Sequence, residues 1–363
     1  MYKIYLTFRL SGITIIGTQF YRRNGVKKII FTVVLAGVVL ALTGCGKKTV
    51  AQGASKHKLD VGTAFASDIF DPEGQKRIKD FSNLIVAENS MKWANLRPNA
   101  KFWNWSDIDN AMKFAEENRI SVKWHTLFWH QQNSGFLSNM KTEADAIKMM
   151  DEHIETIMQR YKGRIKYYDV VNEMFNEDGT FRKSIWYNIL GESYIEHALT
   201  VARAVDPDTK LYLNEFNNEA VGHPKADAMY EYVKRLKENG VPVDGVGMQL
   251  HLATDLPFDA DAIRANVRRY AEIGVDISFS EIDVRLPESK FNDPAEIQKQ
   301  SDIYTALMEI ALTEPNVKSY IVWGLYDKTN WVPATFPSYG NACLYDKNYN
   351  QKPVYKALEK MLK

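Results

Sequence analysis

The stretch TEADAIKMMDEHIETIMQRYKGRIKYYDVVNE, residues 142–173, predicts a helix followed at once by a strand. Thr142 and Asp145 form a capping box at the start of this stretch, and apolar residues then recur at helical spacing. The apolar, β-branched run KYYDVVNE at its end predicts a buried strand. The stretch therefore predicts one helix–strand unit, with the polar pair Asn172 and Glu173 where the strand ends.

The same alternation of helix and strand patterns extends from Leu59 to the end of the chain. The predicted strands are LDVGTAF from Leu59, LIVAEN from Leu84, ISVKWHTLF from Ile120, KYYDVVNE from Lys166, KLYLNEF from Lys210, DGVGMQLH from Asp244, DISFSEID from Asp276 and SYIVWG from Ser319. Such alternation predicts parallel pairing through right-handed crossovers. Eight units in about 300 residues fit a closed (β/α)₈ TIM barrel of class α/β.

An open, doubly wound sheet is the alternative architecture. It is disfavoured because no glycine-rich phosphate loop follows the first predicted strand. Two helix ends can also be located. Asp293 and Pro294 supply the N-cap and first-turn proline of one helix. The pair Asp206 and Pro207 ends a different helix, which precedes Asp206 in the chain.

Charge is unevenly distributed along the chain, although 46 basic and 45 acidic residues leave a net charge of only +1. Residues 1–58 contain ten basic residues and no acidic one, so residues 59–363 are net acidic. A protein that follows nucleic-acid phosphates would carry a basic surface instead. We therefore expect no nucleic-acid partner.

The N-terminal region has the pattern of a secretion signal. Lys27 and Lys28 precede an uncharged stretch, residues 29–43, that is short for a membrane span and suited to a signal-peptide core. The following LTGC, which ends at Cys45, resembles the lipobox of bacterial lipoproteins. The resemblance implies that residues 1–44 are a signal peptide and that Cys45 is acylated, which anchors the protein on the extracellular face of the bacterial membrane.

Alternatives for this region stay open. The apolar stretch also fits a short uncleaved anchor, and translation could begin near Val26. Residues 45–58 are small and basic, which predicts a flexible tether before a single (β/α)₈ domain over residues 59–363. Because the chain has only two cysteines, Cys45 and Cys343, no disulfide framework or cysteine-based zinc site is expected.

Polar and aromatic residues follow the predicted strands from the second to the eighth. They are Glu88, Asn89 and Lys92; His125, Trp129 and Gln132; Asn172 and Glu173; Asn214 and Glu215; Gln249 and His251; Glu281 and Asp283; and Trp323 and Trp331. In a (β/α)₈ barrel these strand ends meet at one mouth, where the chemistry takes place. We therefore predict a single site there.

Two of these residues, Glu173 and Glu281, indicate carbohydrate chemistry. Hydrolysis of a glycosidic bond needs one carboxyl to protonate the leaving oxygen and a second facing the anomeric carbon. Tryptophan faces offer platforms for sugar rings, and amide, imidazole and amine groups bind hydroxyl groups. A zinc site of His125, His130 and His251 is disfavoured because their spacing fits no zinc motif.

Seven motifs, in chain order, resemble glycoside hydrolase family 10, the endo-1,4-β-xylanases. They are FSNLIVAENSMKW (81–93), HTLFWH (125–130), DVVNE (169–173), GVGMQLH (245–251), SEID (280–283), WGLYD (323–327) continuing to Trp331, and LYD (344–346) with KPVY (352–355). The matches run from about residue 59 to the end of the chain. Seven motifs in order are far more specific than any one of them.

The resemblance implies a role for each catalytic carboxyl. Glu173 is expected to act as general acid and then general base, and Glu281 as the nucleophile of a retaining double displacement. The two carboxyls should then lie about 5–5.5 Å apart. Asn172 is expected to bind the 2-hydroxyl of the sugar. His251, oriented by Asp283, is expected to contact Glu281 and keep it ionised.

The resemblance also implies the substrate and its binding residues. Glu88, Asn89, Lys92, His125, Gln132 and Gln249 are expected to bind sugar hydroxyls, with Trp129, Trp323 and Trp331 against the bound rings. Xylan and xylooligosaccharides are the expected ligands, and the protein is expected to act as a monomer without metal or cofactor. Two alternatives are a β-1,4-glucanase of the same fold and a non-catalytic lipoprotein that binds xylooligosaccharides.

Several residues depart from the family's usual pattern. Trp124 stands where glycine is common, and its ring threatens to displace the adjacent His125. Glu215 and Phe216 stand where aspartate and tyrosine are usual, and Glu215 is expected to act only indirectly. Three other tryptophans, Trp93, Trp103 and Trp105, are expected to pack in the core rather than bind sugar.

Overall fold

The computed structural model describes residues 3–10, 13–20 and 49–363. The first two segments form an antiparallel hairpin of β1 (Lys3–Leu10) and β2 (Ile13–Phe20). The predicted signal-peptide core and Cys45 lie outside the described residues. Within the described part of the chain, no helix has the length and apolar character needed to cross a membrane.

From residue 49 onward, strands and helices alternate in the order that the sequence predicts. The elements are α1 (Val50–Lys56), β3 (Asp60–Phe65), α2 (Pro72–Phe81), β4 (Leu84–Ala87), α3 (Trp93–Leu96), α4 (Ser106–Asn118), β5 (Ser121–Phe128), α5 (Glu143–Arg160), β6 (Tyr167–Asn172), α6 (Ile185–Leu190), α7 (Ser193–Val205), β7 (Lys210–Glu215), α8 (Pro224–Glu238), β8 (Gly245–Met248), β9 (His251–Ala253), α9 (Ala260–Glu272), β10 (Asp276–Pro287), α10 (Pro294–Thr313), β11 (Val317–Val322), α11 (Val332–Thr335), β12 (Tyr339–Gly340) and α12 (Pro353–Leu362). Short 3₁₀ turns lie at Ser67–Phe70, Gly135–Asn139 and Glu288–Lys290.

Eight parallel strands form a closed barrel in the order β3, β4, β5, β6, β7, β8, β10, β11. The sheet closes where β11 pairs with β3, with Tyr320 opposite Val61. This closure confirms the predicted (β/α)₈ barrel and excludes the open sheet. The two short strands β9 and β12 both pair with the long β10 beyond the barrel.

The barrel separates two hydrophobic clusters. The larger lies between the strands and the surrounding helices. The smaller fills the barrel interior and comprises Ala64, Leu84, Val86, Tyr167, Tyr212, Ile321 and Trp323. Because successive strand residues face opposite sides, strands such as β3 and β4 contribute to both clusters. The filled interior gives the site at the carboxyl ends a solid floor.

The predicted helix ends are confirmed. The Thr142 hydroxyl accepts a hydrogen bond from the Asp145 amide, and the Asp145 carboxylate accepts one from the Thr142 amide. Asp293 caps α10, whose first residue is Pro294. Helix α7 ends directly before Asp206.

The tether prediction was wrong for residues 50–56, which form helix α1 with its own capping box. Val50 and Ala54 on this helix are fully buried. A side chain at Gly53 would come within 2.0 Å of the Leu362 carbonyl oxygen, so glycine permits α1 to pack directly on α12. The small residues therefore serve close helix packing rather than flexibility.

Candidate active site

The two predicted catalytic carboxyls belong to one hydrogen-bond network at the carboxyl ends of the strands. Glu281 lies on β10, and Glu173 follows β6. Asn214 at the end of β7 donates from Nδ2 to Glu281 Oε1 (2.7 Å) and to Asn172 Oδ1 (2.9 Å). Asn172 in turn donates from Nδ2 to Glu173 Oε1 (3.2 Å). Two amides thus connect the nucleophile candidate with the acid candidate.

Glu281 is 5% exposed and is surrounded by basic groups. His251 Nε2 lies 3.2 Å from Oε2, and His125 Nδ1 lies 3.8 Å from Oε1. Burial raises the pKa of Glu281, but His125, His251 and Lys92 outweigh burial and lower the pKa to about 2. The carboxylate is therefore ionised at neutral pH, as a nucleophile must be.

His251 is the basic group that the structure fixes most firmly beside Glu281. Its Nδ1 lies 2.9 Å from Asp283 Oδ2, which also accepts a hydrogen bond from Trp331 Nε1 at 2.8 Å. Burial lowers the pKa of His251, but Asp283 and Glu281 together raise it to about 10. His251 is therefore an imidazolium at neutral pH and donates to a carboxylate from each ring nitrogen.

Glu173 lies where the chain leaves β6, and its φ of 57° is in the left-handed region. The Glu173 amide donates to the Asn214 carbonyl oxygen, and Arg182 Nε donates to the Glu173 carbonyl oxygen. These bonds fix the turn. Because the strand ends here, Asn172 and Glu173 both reach the network, although neighbouring strand residues point to opposite faces.

The carboxyl of Glu173 has neutral hydrogen-bond partners. Gln249 donates from Nε2 to Glu173 Oε1 at 3.3 Å and to Asn172 Oδ1 at 3.2 Å. His130 Nδ1 lies 3.6 Å from Oε2. Burial, together with the charges of Arg182 and Lys225, lowers the pKa of His130 to about 4, so this imidazole is neutral at neutral pH.

A second group of predicted binding residues lies at the ends of β4 and β5. Lys92 Nζ is 3.4 Å from Asn89 Oδ1 and 4.7 Å from the centre of the Trp129 ring. Asn89 donates to Glu88 Oε1, and Gln132 donates to Asn89 Oδ1. Burial lowers the pKa of Lys92, while Glu281, Glu88 and Glu173 raise it. The group is thus electrostatically coupled to both catalytic candidates.

Trp124 is accommodated without displacing His125 from the site. Its fully buried ring packs against Tyr161 and Tyr168 in the layer between the barrel and the helices. His125 lies on the opposite face of β5, where its Nδ1 is 3.0 Å from Asp169 Oδ2. The alternation of strand residues therefore separates the bulky ring from the imidazole.

Five other tryptophans of the sequence analysis fall into two groups. The rings of Trp323 and Trp331 lie near His251, with centroids at 6.4 and 4.8 Å. Trp93 is buried and donates to a backbone carbonyl oxygen, and Trp103 stacks on Trp105 beside the core.

Glu215 contacts the backbone around Glu173 rather than the carboxyl network itself. It is fully buried and accepts hydrogen bonds from the amides of Phe175 and Phe216. Burial raises the pKa of Glu215 to about 8, although Lys225, with Nζ 3.4 Å away, opposes this shift. Since Phe175 follows Glu173 by two residues, Glu215 helps to hold the loop that carries the acid candidate.

Asn214 lies at a predicted strand end, and the sequence alone indicates no role for it. In the structure it contacts Glu281 and Asn172, and Ser280 Oγ donates to its Oδ1 at 2.6 Å. A side chain at Gly247 on the adjacent strand would come within 1.9 Å of that Oδ1. Gly247, a glycine within a predicted strand, was therefore the sequence signal that a neighbouring side chain such as Asn214 needs room there. Among residues 49–363, no cluster of acidic, histidine and cysteine side chains is arranged to hold a metal ion.

Comparisons with known proteins agree with this geometry. The model of Glycosyl hydrolase family 10 matches residues 49–361. Endo-1,4-beta-xylanase B of Thermotoga neapolitana is 33% identical over 90% of this chain and 97% of its own length. Endo-1,4-beta-xylanase A of Fusarium oxysporum f. sp. lycopersici is 35% identical over 75% of this chain and 84% of its own length.

Solved structures show the same similarity. Xylanase 10B from Thermotoga petrophila RKU-1, in complex with xylobiose, has a TM-score of 0.83 and 35% identity, and the match covers 87% of this chain and 98% of that one. Native xylanase 10B from Thermotoga maritima has the same TM-score and identity, and the match covers 86% and 98%.

Proposed function

The chain belongs to glycosyl hydrolase family 10, and from this premise we propose that Glu173 and Glu281 are its catalytic carboxyls. The protein is a retaining endo-1,4-β-xylanase that hydrolyses internal β-1,4-xylosidic linkages of xylan. The assignment of the two residues rests on one observation. Asn214 and Asn172 connect a carboxylate held ionised by His251 and His125 with a second carboxyl bound by neutral amides.

In the first step, the Glu281 carboxylate attacks the anomeric carbon while Glu173 gives its proton to the leaving glycosidic oxygen. The bond to the leaving sugar breaks, and an ester forms between Glu281 and the anomeric carbon. Asn172, held by Asn214 and Gln249, is placed to bind the 2-hydroxyl of the attacked sugar. Its orientation is fixed before substrate arrives, which avoids reorganisation during the reaction.

In the second step, Glu173 accepts a proton from water, and the water oxygen displaces Glu281 from the anomeric carbon. Two inversions at the same carbon leave its configuration unchanged. The ester on Glu281 carries no negative charge, so the Glu173 carboxylate faces no second carboxylate in this step. One residue thus acts first as acid and then as base.

The remaining predicted residues are proposed to bind xylan or xylooligosaccharides. Lys92, Glu88, Asn89 and Gln132 form a connected polar group beside Trp129, and sugar hydroxyls need such directional partners. The tryptophans are suited to lie against sugar rings. We propose that the protein binds this substrate as a monomer.

The test measures the hydrolysis of xylan and, by NMR, the anomeric configuration of the first product. The wild-type chain should release β-configured oligosaccharides from internal positions. Glu173→Ala and Glu281→Ala should each abolish this release, whereas Glu272→Ala, on the outer helix α9, should not. Full activity in both site variants, or an α-configured first product, would reject the assignment. Faster hydrolysis of carboxymethylcellulose than of xylan would favour the glucanase alternative.

We also propose that Cys45 is acylated and anchors the enzyme on the extracellular face of the bacterial membrane. The lipobox LTGC supports this proposal. Cys45→Ser should release the enzyme from the membrane fraction, and Cys343→Ser, a buried position, should not. Continued membrane association of Cys45→Ser would contradict acylation.

A further inference from the structure

A groove of about 300 Å³ lies at the end of the barrel where the strands begin, opposite the active-site mouth. Its position follows from two lining residues, because Asn83 directly precedes β4 and Arg119 lies two residues before β5. Helix α1, the last turn of α2 and the end of α4 supply further walls. Six residues that line this basal groove are Thr49, Gln52, Lys79, Asn83, Asn118 and Arg119.

Helix α1 is fixed on this face by one side chain of the groove. Asn83 Oδ1 accepts a hydrogen bond from the Val61 amide at 2.8 Å. Asn83 Nδ2 donates to Ser55 Oγ at 3.1 Å and to the Leu59 carbonyl oxygen at 3.2 Å. Asn83 thus joins α1, the turn that follows it and β3. Thr49, which caps α1, is therefore held at the edge of the basal groove.

The basal groove is positively charged. Lys79 and Arg119 are exposed, and among the described residues neither has an ion-pair partner. No aspartate or glutamate lines the groove in this part of the structure. The amide of Asn118 and the hydroxyl group of Thr49 add groups that can bind oxygen atoms. Within a domain that is net acidic, this groove favours an anionic ligand.

The distance along the chain to the proposed lipid anchor indicates which anion lies nearby. Cys45 and Thr49 are four residues apart, and the intervening segment is GKK. Even when fully extended, a chain of this length spans only about 14 Å. An acyl chain on Cys45 therefore keeps the edge of the basal groove within about 14 Å of the membrane surface. The two lysines of GKK add positive charge in the same interval.

The same geometry sets the direction of the active site. Each barrel strand runs from the end that carries the basal groove to the mouth, and β3, with six residues, rises by about 20 Å. A membrane against the basal groove therefore leaves Glu173 and Glu281 facing the medium, from which a polymer approaches.

We propose that the basal groove binds the headgroup of an anionic phospholipid. The acylated enzyme then rests on this face, with its mouth directed away from the membrane. The inference rests on the proposed acylation of Cys45 and goes beyond the hydrolysis of xylan. Each lysine or arginine beside an anionic surface strengthens binding by about fivefold, so Lys79 and Arg119 supplement the acyl chain and select the orientation.

The test measures how close two labelled positions of the full-length, acylated chain lie to lipid headgroups. Cys45 carries the acyl group and Cys343 is buried, so an introduced surface cysteine reacts selectively with a fluorescent maleimide. Glu117→Cys places the label in the last turn of α4, beside the groove, and Asn139→Cys places it after β5, on the mouth side. Both positions are exposed. The vesicles consist of phosphatidylcholine, with or without phosphatidylglycerol, and contain a quencher attached to the headgroup.

On vesicles with phosphatidylglycerol, the label at position 117 should be quenched strongly and the label at position 139 should not. Lys79→Gln and Arg119→Gln should each lower the docking constant, obtained from quenching at position 117, by about fivefold. Lys148→Gln removes an exposed lysine of α5 that does not line the groove, and it should leave this constant unchanged. All three variants should hydrolyse xylan like the wild type, which also shows that they fold.

Equal quenching at the two positions would overturn the proposal, as would quenching at position 117 that depends neither on phosphatidylglycerol nor on Lys79 and Arg119. Mass spectrometry of the peptide that contains Cys45 separates these results from failure of the anchor. A chain without the acyl group contradicts the proposed acylation and the proposed orientation together. An acylated chain with equal quenching contradicts only the role of the basal groove.

Discussion

The two proposed catalytic carboxyls share one network, yet their surroundings differ in charge. Glu281 on β10 is contacted by His251, an imidazolium whose pKa is raised to about 10 by Asp283 and Glu281 against the effect of burial. Glu173, after β6, is contacted by the neutral amides of Asn172 and Gln249. His130, the imidazole on this side, has a pKa lowered to about 4, first by burial.

This difference matches what each carboxyl must do. The nucleophile needs to be ionised when it attacks and when it leaves again, and fixed cations stabilise the ionised form. The acid has to give up a proton and later take one back, so a fixed cation would favour one of its two states. The barrel therefore separates the two roles by the groups it places beside each carboxyl.

Removing each carboxyl in turn should cause the largest loss of activity and should show separately what Glu281 and Glu173 contribute. Glu281→Ala and Glu173→Ala should each lower kcat on xylooligosaccharides by roughly 10⁴-fold. With 4-nitrophenyl β-xylobioside, whose leaving group needs no proton, kcat/KM of Glu173→Ala should fall far less, because kcat/KM reports formation of the ester, whereas kcat stays low because hydrolysis of the ester still lacks its base. Glu281→Ala should lose as much as before. Steady-state rates on both substrates provide the measurement.

Azide should restore part of the activity of both variants, with opposite stereochemistry. In Glu281→Ala, the anion attacks from the side of the missing nucleophile and gives an α-xylobiosyl azide. In Glu173→Ala, it attacks the ester on Glu281 and gives the β-azide. The same anomer from both variants would show that the two roles are not separated in this way.

Asn214→Ala should cause the second-largest loss of activity, through its effect on Glu281. The variant removes the donor to Glu281 Oε1 and the donor to Asn172 Oδ1. We expect a loss of about 10²-fold in kcat/KM, comparable to the loss of one preorganised donor in other active sites. The pKa of Glu281 should rise from about 2, so the acidic limb of the pH profile should move to higher pH.

Asn118→Ala is the matched control, because in the described part of the chain Asn118 donates to the Phe114 carbonyl oxygen near the end of α4, away from the site. It should keep the wild-type profile. If Asn214→Ala retained the wild-type acidic limb, Asn214 would not be stabilising the Glu281 carboxylate.

The barrel and both carboxyls follow from the sequence because they depend on local patterns. Each strand has its own apolar run, and the polar residues at its end are adjacent in the chain. In the stretch 142–173, the capping box and the strand lie where the pattern predicts them. Glu173 and Glu281 were identified by their motifs and by position at strand ends, without knowledge of their contacts.

The parts that could not be predicted depend on contacts between distant segments. Asn214 gains its role from partners on β6 and β10, and Gly247 on β8 leaves room for its side chain. The sequence of α1 resembles a linker because Gly53 is needed only when α12 lies against it. Trp124 is harmless only because the described structure places its ring outside the barrel.

Asp283→Asn removes the negative charge beside His251 and keeps the size of the side chain. Without the Asp283 charge, the pKa of His251 falls from about 10, and the imidazolium is held less firmly beside Glu281. The pKa of Glu281 should then rise from about 2, and kcat/KM in the acidic range should fall about tenfold. Asp255→Asn, which alters an exposed carboxylate bonded to Tyr339, should not shift the profile. An unshifted acidic limb in Asp283→Asn would mean that His251 does not depend on Asp283 for its charge.

His130→Asn should have the smallest effect and is the closest counterpart to a change at His251. With a pKa near 4, His130 is already neutral over most of the working range, so its loss removes no charge from the Glu173 side. We expect about a threefold fall in kcat/KM, the cost of a neutral contact, with the acidic limb unmoved. His251→Asn should move that limb to higher pH because it removes an imidazolium from Glu281. The decisive measurement is the pair of pH profiles on one substrate. Equal shifts in both variants would mean that the two sides of the site do not differ in charge, and the separation of the carboxyl roles would need another cause.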